Sequence, residues 1–272
     1  MTLLPGQTAL VTGAAHGIGL ALTEALCKQG LRVLASDIDG VAVHKATRQL
    51  REQGAHLVCM TLDVTQSEAW TAVADLARQR FGALDLLCSN AGVSVSGRDV
   101  DALCELDWRW VIDVNLLGAV LGVAACLPLL RQRTQAHILF TGSMGGFFGA
   151  AGNAPYCASK AALMSYAESL SRELQRNREA IGVSLLCPSA VRTTLAESEF
   201  RRPARFGRAA AVDSVARAGL ARFRAEPLEP HVVAELALAG MRQGQFYIPT
   251  HPNAAAVMEQ RAADAAAHRQ PG

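Results

Sequence analysis

Thr8-Ala-Leu-Val-Thr12-Gly-Ala-Ala-His-Gly-Ile-Gly19 reads as a short apolar strand running straight into a glycine-rich turn. Leu20 to Gln29 then shows helical apolar spacing, and Gly30 stands where a helix would end. Gly13, Gly17 and Gly19 carry no side chains, so the backbone of the turn can approach a pyrophosphate resting on the helix N-terminus. His16 and Ile18 lie inside the turn, where His16 can point at solvent or at an adenosine phosphate. A plain tight turn would use the same letters, so the neighbouring chain has to discriminate.

The next strand, Leu31 to Ser36, ends at Asp37, about twenty residues beyond the glycines. A carboxylate there accepts hydrogen bonds from the adenosine ribose of NAD and repels a 2′-phosphate. Like charges in close contact cost roughly several kcal/mol. Ile38 follows, not an arginine that would clasp such a phosphate, and His16 and Arg32 are the nearby basic candidates. Asp37 could instead cap the following helix. The reading is NAD rather than NADP.

Beyond it, strands and helices alternate. Val41 to Gln53 predicts a helix, Ala55 to Leu62 a strand with Asp63 and Val64 at its end, and Gln66 to Arg80 a helix. Asp63 stands where a carboxylate can meet an adenine amino group. Leu84 to Ser89 predicts a strand running into Asn90-Ala91-Gly92, then a long helix covers Asp101 to Leu130. Ala136 to Phe140 is a strand that leads to Thr141-Gly-Ser143. This alternation predicts βαβ units with right-handed crossovers and a parallel sheet, an α/β fold.

Composition excludes several functions. A length of 272 residues suits one large domain, and a net charge of +2 gives no field for nucleic acid. Seven dispersed cysteines without a C-x-x-C pair predict reduced, buried thiols. The seven histidines lack ligand spacing, so no metal is expected. Val111 to Leu130 is apolar enough to suggest a membrane span, but Asp113, Asn115 and Pro128 argue for a buried helix. The opening residues lack the basic and apolar regions of a signal peptide, and a cytoplasmic protein is expected.

Tyr156-Cys-Ala-Ser-Lys160 lies near the start of a further helical run. Tyrosine and lysine four residues apart share one helix face, and an ammonium beside a phenol favours the phenolate. The same spacing occurs on ordinary amphipathic helices. Here it stands with Thr12-Gly-Ala-Ala-His-Gly-Ile-Gly19, Asn90-Ala-Gly92, Asn115 and Ser143, in order and at fitting positions. Together they resemble the short-chain dehydrogenase/reductase family, strongly over residues 5 to 195. Ser89 departs from the family pattern where a first asparagine is usual, and Ser189 where glycine is usual after Pro188.

The resemblance implies a single-domain Rossmann-type fold, a doubly wound parallel sheet of about seven strands in the order 3-2-1-4-5-6-7 with helices on both faces. Residues 1–189 would form the cofactor-binding and catalytic core, 190–229 a substrate loop or lid, and 230–272 a helix, a strand and an alanine-rich tail. It implies Tyr156 as the general acid/base and Lys160 holding the nicotinamide ribose and lowering the tyrosine pKa. Ser143 would orient the substrate oxygen, and Asn115 would fix a helix distortion and a water on the proton path. Gly13, His16, Gly17, Ile18, Gly19, Asp37, Ile38, Asp63, Val64, Asn90, Ala91 and Gly92 would line the dinucleotide. Pro188, Val191 and Thr193 would border its nicotinamide. The family commonly forms dimers or tetramers through its two long helices, here 101–130 and 153–178.

Ligands in such sheets bind beyond the carboxyl ends of the strands. Ser94 to Asp99, Met144 to Gly152 and Ala190 to Glu229 can line that space, with Val93, Val95, Met144, Phe147, Phe148, Leu195, Phe200 and Phe206. An apolar pocket for an alicyclic, aromatic or terpenoid-sized alcohol or ketone follows. Phe147 and Phe148 serve packing equally well. Arg201-Arg-Pro-Ala-Arg-Phe206 is basic and reads as a solvated lid, or as a cover for cofactor or substrate carboxylate. With Tyr247-Ile-Pro-Thr-His251 it loosely resembles the branch holding the aryl-alcohol Cα-dehydrogenases. The leading expectation is NAD-dependent interconversion of a secondary alcohol and a ketone. Behind it stand an NADP-dependent carbonyl reductase, a non-catalytic dinucleotide-binding regulator and, last, an isomerase or dehydratase.

Overall fold

Seven strands whose residues are apolar on both faces form one sheet, covered by helices on either side. The computed structural model describes residues 2–207 and 226–270. The strands are β1 (Thr8–Thr12), β2 (Arg32–Asp37), β3 (Leu57–Thr61), β4 (Leu86–Ser89), β5 (Ala136–Thr141), β6 (Ile181–Cys187) and β7 (Tyr247–Pro249). All pair in parallel, in the order β3-β2-β1-β4-β5-β6-β7. Residues 208–225 of the expected lid lie outside the described residues.

Alternation along each strand divides the core into two layers. Leu10, Leu34, Leu87 and Ile138 face one side, while Ala9, Val11, Val33 and Leu86 face the other, all fully buried. Burying each leucine or valine contributes about 1.5–3 kcal/mol. The first layer is closed by α4 (Ser67–Phe81), α6 (Gly118–Leu130) and α7 (Ala154–Arg176), through Val73, Val123, Leu129 and Leu163. The second is closed by α1 (Gly17–Lys28) and α8 (Pro230–Arg242), through Leu22, Leu26, Val233 and Leu238. The chain ends on α9 (Ala254–Ala266), whose Ala254 is buried in the first layer.

Two expected helices are interrupted. The one over Val41–Gln53 becomes α2 (Gly40–Ala46) and α3 (Arg48–Glu52), with Thr47 between them. Its hydroxyl donates to the Val43 carbonyl (2.7 Å), a back-bond that bends helices. The helix expected from Asp101 begins only at α5 (Glu105–Ile112), where the Asp107 carboxylate accepts from the Cys104 N–H. A π-turn at Asp113–Leu117 then separates it from α6. Residues 105–130 are, among the described residues, the one helical stretch long and apolar enough to cross a membrane. In this fold it packs as a core layer. Gly122 lies so close to Trp70 that a Cβ there would meet the indole at 2.7 Å.

A buried histidine makes the sheet sensitive to acid. His137 on β5 reaches the Ser184 hydroxyl (2.9 Å), which donates to the Gln245 carbonyl (2.6 Å). Burial pushes its pKa from 6.5 down to about 4. The folded state therefore binds this proton less well than the unfolded chain, so the stability is full above about pH 6.5 and lost as pH falls towards 4. The group alone accounts for about 3 kcal/mol across that window. We expect His137→Gln to flatten the acid side of the melting-temperature profile. An equally steep fall in the variant would place the acid sensitivity elsewhere.

The C-terminal ends of β1, β2, β4 and β5 lie together, bringing Thr12, Asp37, Ser89 and Thr141 to one edge. Strand order reverses between β1 and β4 there, leaving a crevice at the switch point.

Candidate active site

The glycine turn forms the floor of that crevice. Gly13 and Gly17 hold left-handed backbone, at φ of 65° and 53°. A Cβ on Gly17 would meet the Thr193 methyl at 2.8 Å, and one on Gly19 would sit 2.0 Å from the Gly13 carbonyl oxygen. His16 precedes α1 in extended conformation and makes no side-chain cap, so the first N–H groups of α1 face the crevice. Thr12 braces the turn: its hydroxyl accepts from the N–H groups of Asn90 and Ala91, both at 3.0 Å. The Asn90 amide donates to the Thr12 carbonyl (2.9 Å) and accepts from the Thr141 hydroxyl (3.0 Å), tying three strand ends together.

Asp37 faces this turn. Its carboxylate accepts from the Ala15 N–H (3.1 Å) and the Asp39 N–H (3.0 Å), and Asp39 rather than Asp37 caps α2. Ile38 flanks it. On the same side, just beyond β3, Asp63 accepts from the N–H and the hydroxyl of Thr65 (3.1 and 2.7 Å), with Val64 beside it. Its second oxygen accepts from Arg205.

The other wall carries the tyrosine and lysine. Tyr156 and Lys160 lie in the first turns of α7, and Ser143 follows β5. The Ser143 hydroxyl hydrogen-bonds the Tyr156 phenol and accepts from the Gly145 N–H (3.0 Å). The Lys160 ammonium donates to the Thr141 carbonyl (2.7 Å) and stands 5.8 Å from the tyrosine ring centroid. Burial pushes Tyr156 up to about 12, against the lowering hydrogen bond from Ser143, and pushes Lys160 down to about 8. In the chain by itself burial dominates both groups, because low polarity disfavours both charged forms.

Asn115 does not reach the crevice. It sits buried in the π-turn, accepting from the Val93 N–H (2.8 Å) and donating to the Val93 carbonyl and the Ser159 hydroxyl. Ser159 donates in turn to the Tyr156 carbonyl (2.7 Å). Asn115 thus links the loop after β4 to the tyrosine's own turn.

The crevice encloses about 450 Å³ and is lined by Gly13, His16, Gly17, Ile18, Asp37, Ile38, Asp63, Val64, Asn90, Ala91 and Gly92 on the turn side. Ser143, Met144, Phe148, Tyr156, Lys160, Pro188, Val191, Thr193 and Leu195 line the other side. Gly19 acts from beneath the turn. Three expected apolar residues, Val95, Phe147 and Phe200, do not line it. Phe147 is buried in the core against Tyr247, its ring centroid 5.9 Å away, and Phe200 is 87% exposed. Val95 packs with Trp110, Val111 and Phe206 in a small separate cluster.

Reading the sequence missed Trp110, Val114, Asn153 and Cys157, which also line the crevice. The buried-face spacing of Trp110 and Val114 was their only local signal. The basic stretch is solvated only in part: Arg201 and Arg205 are exposed, whereas the Arg202 side chain is buried, bound to Asp107 and to the Phe206 carbonyl (2.6 Å), and stacked 5.1 Å from the Trp110 ring. Arg98 likewise pairs with Glu199 (2.8 Å) out of solvent.

These residues fit a nicotinamide dinucleotide. The turn admits a pyrophosphate because no Cβ would fit at Gly17 or Gly19. Asp37 can take ribose hydroxyls. Lys160 has three N–H donors, of which the Thr141 carbonyl takes one.

A family profile described as short chain dehydrogenase matches residues 7–204. The 1-deoxy-11-beta-hydroxypentalenate dehydrogenase of Streptomyces exfoliatus is 37% identical over 71% of this chain and 70% of its own. The Cα-dehydrogenase of Sphingobium sp. strain SYK-6 is 31% identical over 90% of this chain and 81% of its own. A short-chain dehydrogenase/reductase from Burkholderia phymatum, solved with NAD, superposes with a TM-score of 0.94 at 32% identity, covering 100% of this chain and 98% of that one. Fold, crevice and similarity agree, and the chain belongs to the short-chain dehydrogenase family.

Proposed function

We propose that this oxidoreductase interconverts a secondary alcohol and a ketone on an apolar, alicyclic, aromatic or terpenoid-like substrate, with NAD as its cofactor. The reading rests on one observation: Tyr156 and Ser143 share a hydrogen bond beside Lys160, in the same crevice as the glycine turn and Asp37. A bound nicotinamide dinucleotide supplies the carbon that accepts or returns the hydride. The Tyr156 hydroxyl moves the proton to or from the substrate oxygen, and the Ser143 hydroxyl orients that oxygen. The buried Lys160 ammonium holds a positive charge on the ribose side, and the Asn115–Ser159 chain holds the tyrosine turn in place. Met144, Phe148, Leu195 and Trp110 present apolar surface to the substrate. The relatives named 1-deoxy-11-beta-hydroxypentalenate dehydrogenase and Cα-dehydrogenase support dehydrogenation of an alcohol as the reaction class.

Initial rates on a panel of secondary alcohols, followed by nicotinamide absorbance with NAD and then NADP, test the reading. Asp37 should set the preference through charge. We expect Asp37→Ser to shrink the NAD-over-NADP ratio of kcat/KM by roughly 10- to 100-fold, since removing one close like-charge repulsion is worth a few kcal/mol. A wild-type preference for NADPH would sink the role given to Asp37.

A further inference from the structure

The segment from Thr194 to Phe206 crosses the crevice, and its anchoring is uneven. Ser198 exchanges hydrogen bonds with the backbone of Ser94 (3.0 and 3.1 Å), and Glu199 is held by Arg98. Arg202 is buried on Asp107 and Trp110, while Phe206 is buried against Val95, Trp110 and Val111. The backbone is therefore pinned on both sides of Arg205.

Among the described residues of this segment, Arg205 is the one whose side chain hydrogen-bonds to the opposite wall. Its guanidinium donates to the Asp63 carboxylate and to the Thr65 hydroxyl (2.8 Å), and lies 4.7 Å from the Phe206 ring centroid. These partners sit 140 and 142 residues away in the chain. Asp63, Val64 and Ile38 form the end of the crevice farthest along from Tyr156 on the β2–β3 side, where the nucleotide reading puts the adenosine. The side chain is 43% exposed, so it can swing without unfolding the pinned segment. Rotation of an exposed side chain takes on the order of nanoseconds.

We propose that Arg205 is the clasp that retains the dinucleotide: by pairing with Asp63 it closes over the adenosine end and sets the rate of cofactor release. The inference rests on the proposed nucleotide site. It is compatible with a bound adenine because a carboxylate offers about four acceptor positions. Thr65 occupies two on one oxygen and Arg205 one on the other, leaving room for an amino group.

Stopped-flow displacement of NADH by excess NAD, read by nicotinamide fluorescence, tests the clasp on the full chain. Arg205→Ala should release NADH about three- to tenfold faster, in keeping with a half-exposed ion pair plus stacking. Wild-type release should accelerate as salt rises, and the variant should lose most of that dependence. Arg205→Lys, which keeps the charge without the planar fork, should fall between them. Unchanged release with the same salt dependence overturns the clasp. Slower release in Arg205→Ala also overturns it, because the arginine would then be obstructing the site. If the wild type binds only NADPH, the NAD assignment fails and the same comparison is made with NADPH. Binding of neither nucleotide overturns both readings.

Discussion

Tyr156→Phe is expected to lower kcat by about 10²–10⁴ while leaving NADH affinity within about twofold, the range assigned to one positioned acid/base. Phenylalanine keeps the ring and its packing and removes only the hydroxyl, with its hydrogen bond to Ser143. The sign of the pH dependence follows from the tyrosine. Oxidation needs the deprotonated hydroxyl, so its rate should rise with pH until Tyr156 has titrated; ketone reduction needs the proton and should fall over the same span. Burial is the main cause that pushes Tyr156 up to about 12 in the chain by itself, so a lower kinetic limb would measure how far the cationic surroundings of the working site bring it down. Steady-state rates across pH, with fluorescence titration of NADH, check both statements. A variant that retains activity within tenfold of wild type would remove Tyr156 from the proton path.

Gly19→Ala should be the most damaging change on the cofactor side. Its Cβ would lie 2.0 Å from the Gly13 carbonyl oxygen and 2.5 Å from the Asn90 amide nitrogen. Neither can yield cheaply. The first is backbone of the turn, and the second donates to the Thr12 carbonyl while the oxygen of the same amide accepts from the Thr141 hydroxyl. The turn must therefore open, which separates the N–H groups of α1 from the pyrophosphate position. We expect NADH affinity to fall by at least about 100-fold, with a loss of stability of roughly 1–3 kcal/mol from overpacking. Fluorescence titration and thermal melting separate the two effects. Wild-type affinity in a folded Gly19→Ala protein would mean that the turn does not hold the pyrophosphate.

Much of the crevice was legible because it is local. A strand, a glycine turn and a helix occupy consecutive residues, and a carboxylate at the end of the next strand is carried to the same edge by parallel pairing. Tyr156 and Lys160 are likewise neighbours on one helix face. Asn115 marks the opposite limit. The family resemblance pointed to it, yet its partners Val93 and Ser159 are 22 and 44 residues away, and only the folded chain shows that it works through them.

The substrate side was least legible. Phe147 and Phe148 are adjacent in sequence, but the short 3₁₀ turn at Met144–Gly146 sends the first into the core and the second to the crevice. Arg201, Arg202 and Arg205 read as one basic run. The fold separates them: Arg202 is buried on Asp107, and Arg205 crosses to Asp63.

What the sequence by itself determined is the parallel α/β sheet, the phosphate turn and the tyrosine–lysine pair, since period and spacing along the chain specify them. Tertiary structure alone decided which aromatic side chains face the crevice, which arginines are buried and what Tyr156 feels electrostatically. Those depend on burial and, for the arginines, on partners 95 to 142 residues distant, which no local pattern encodes.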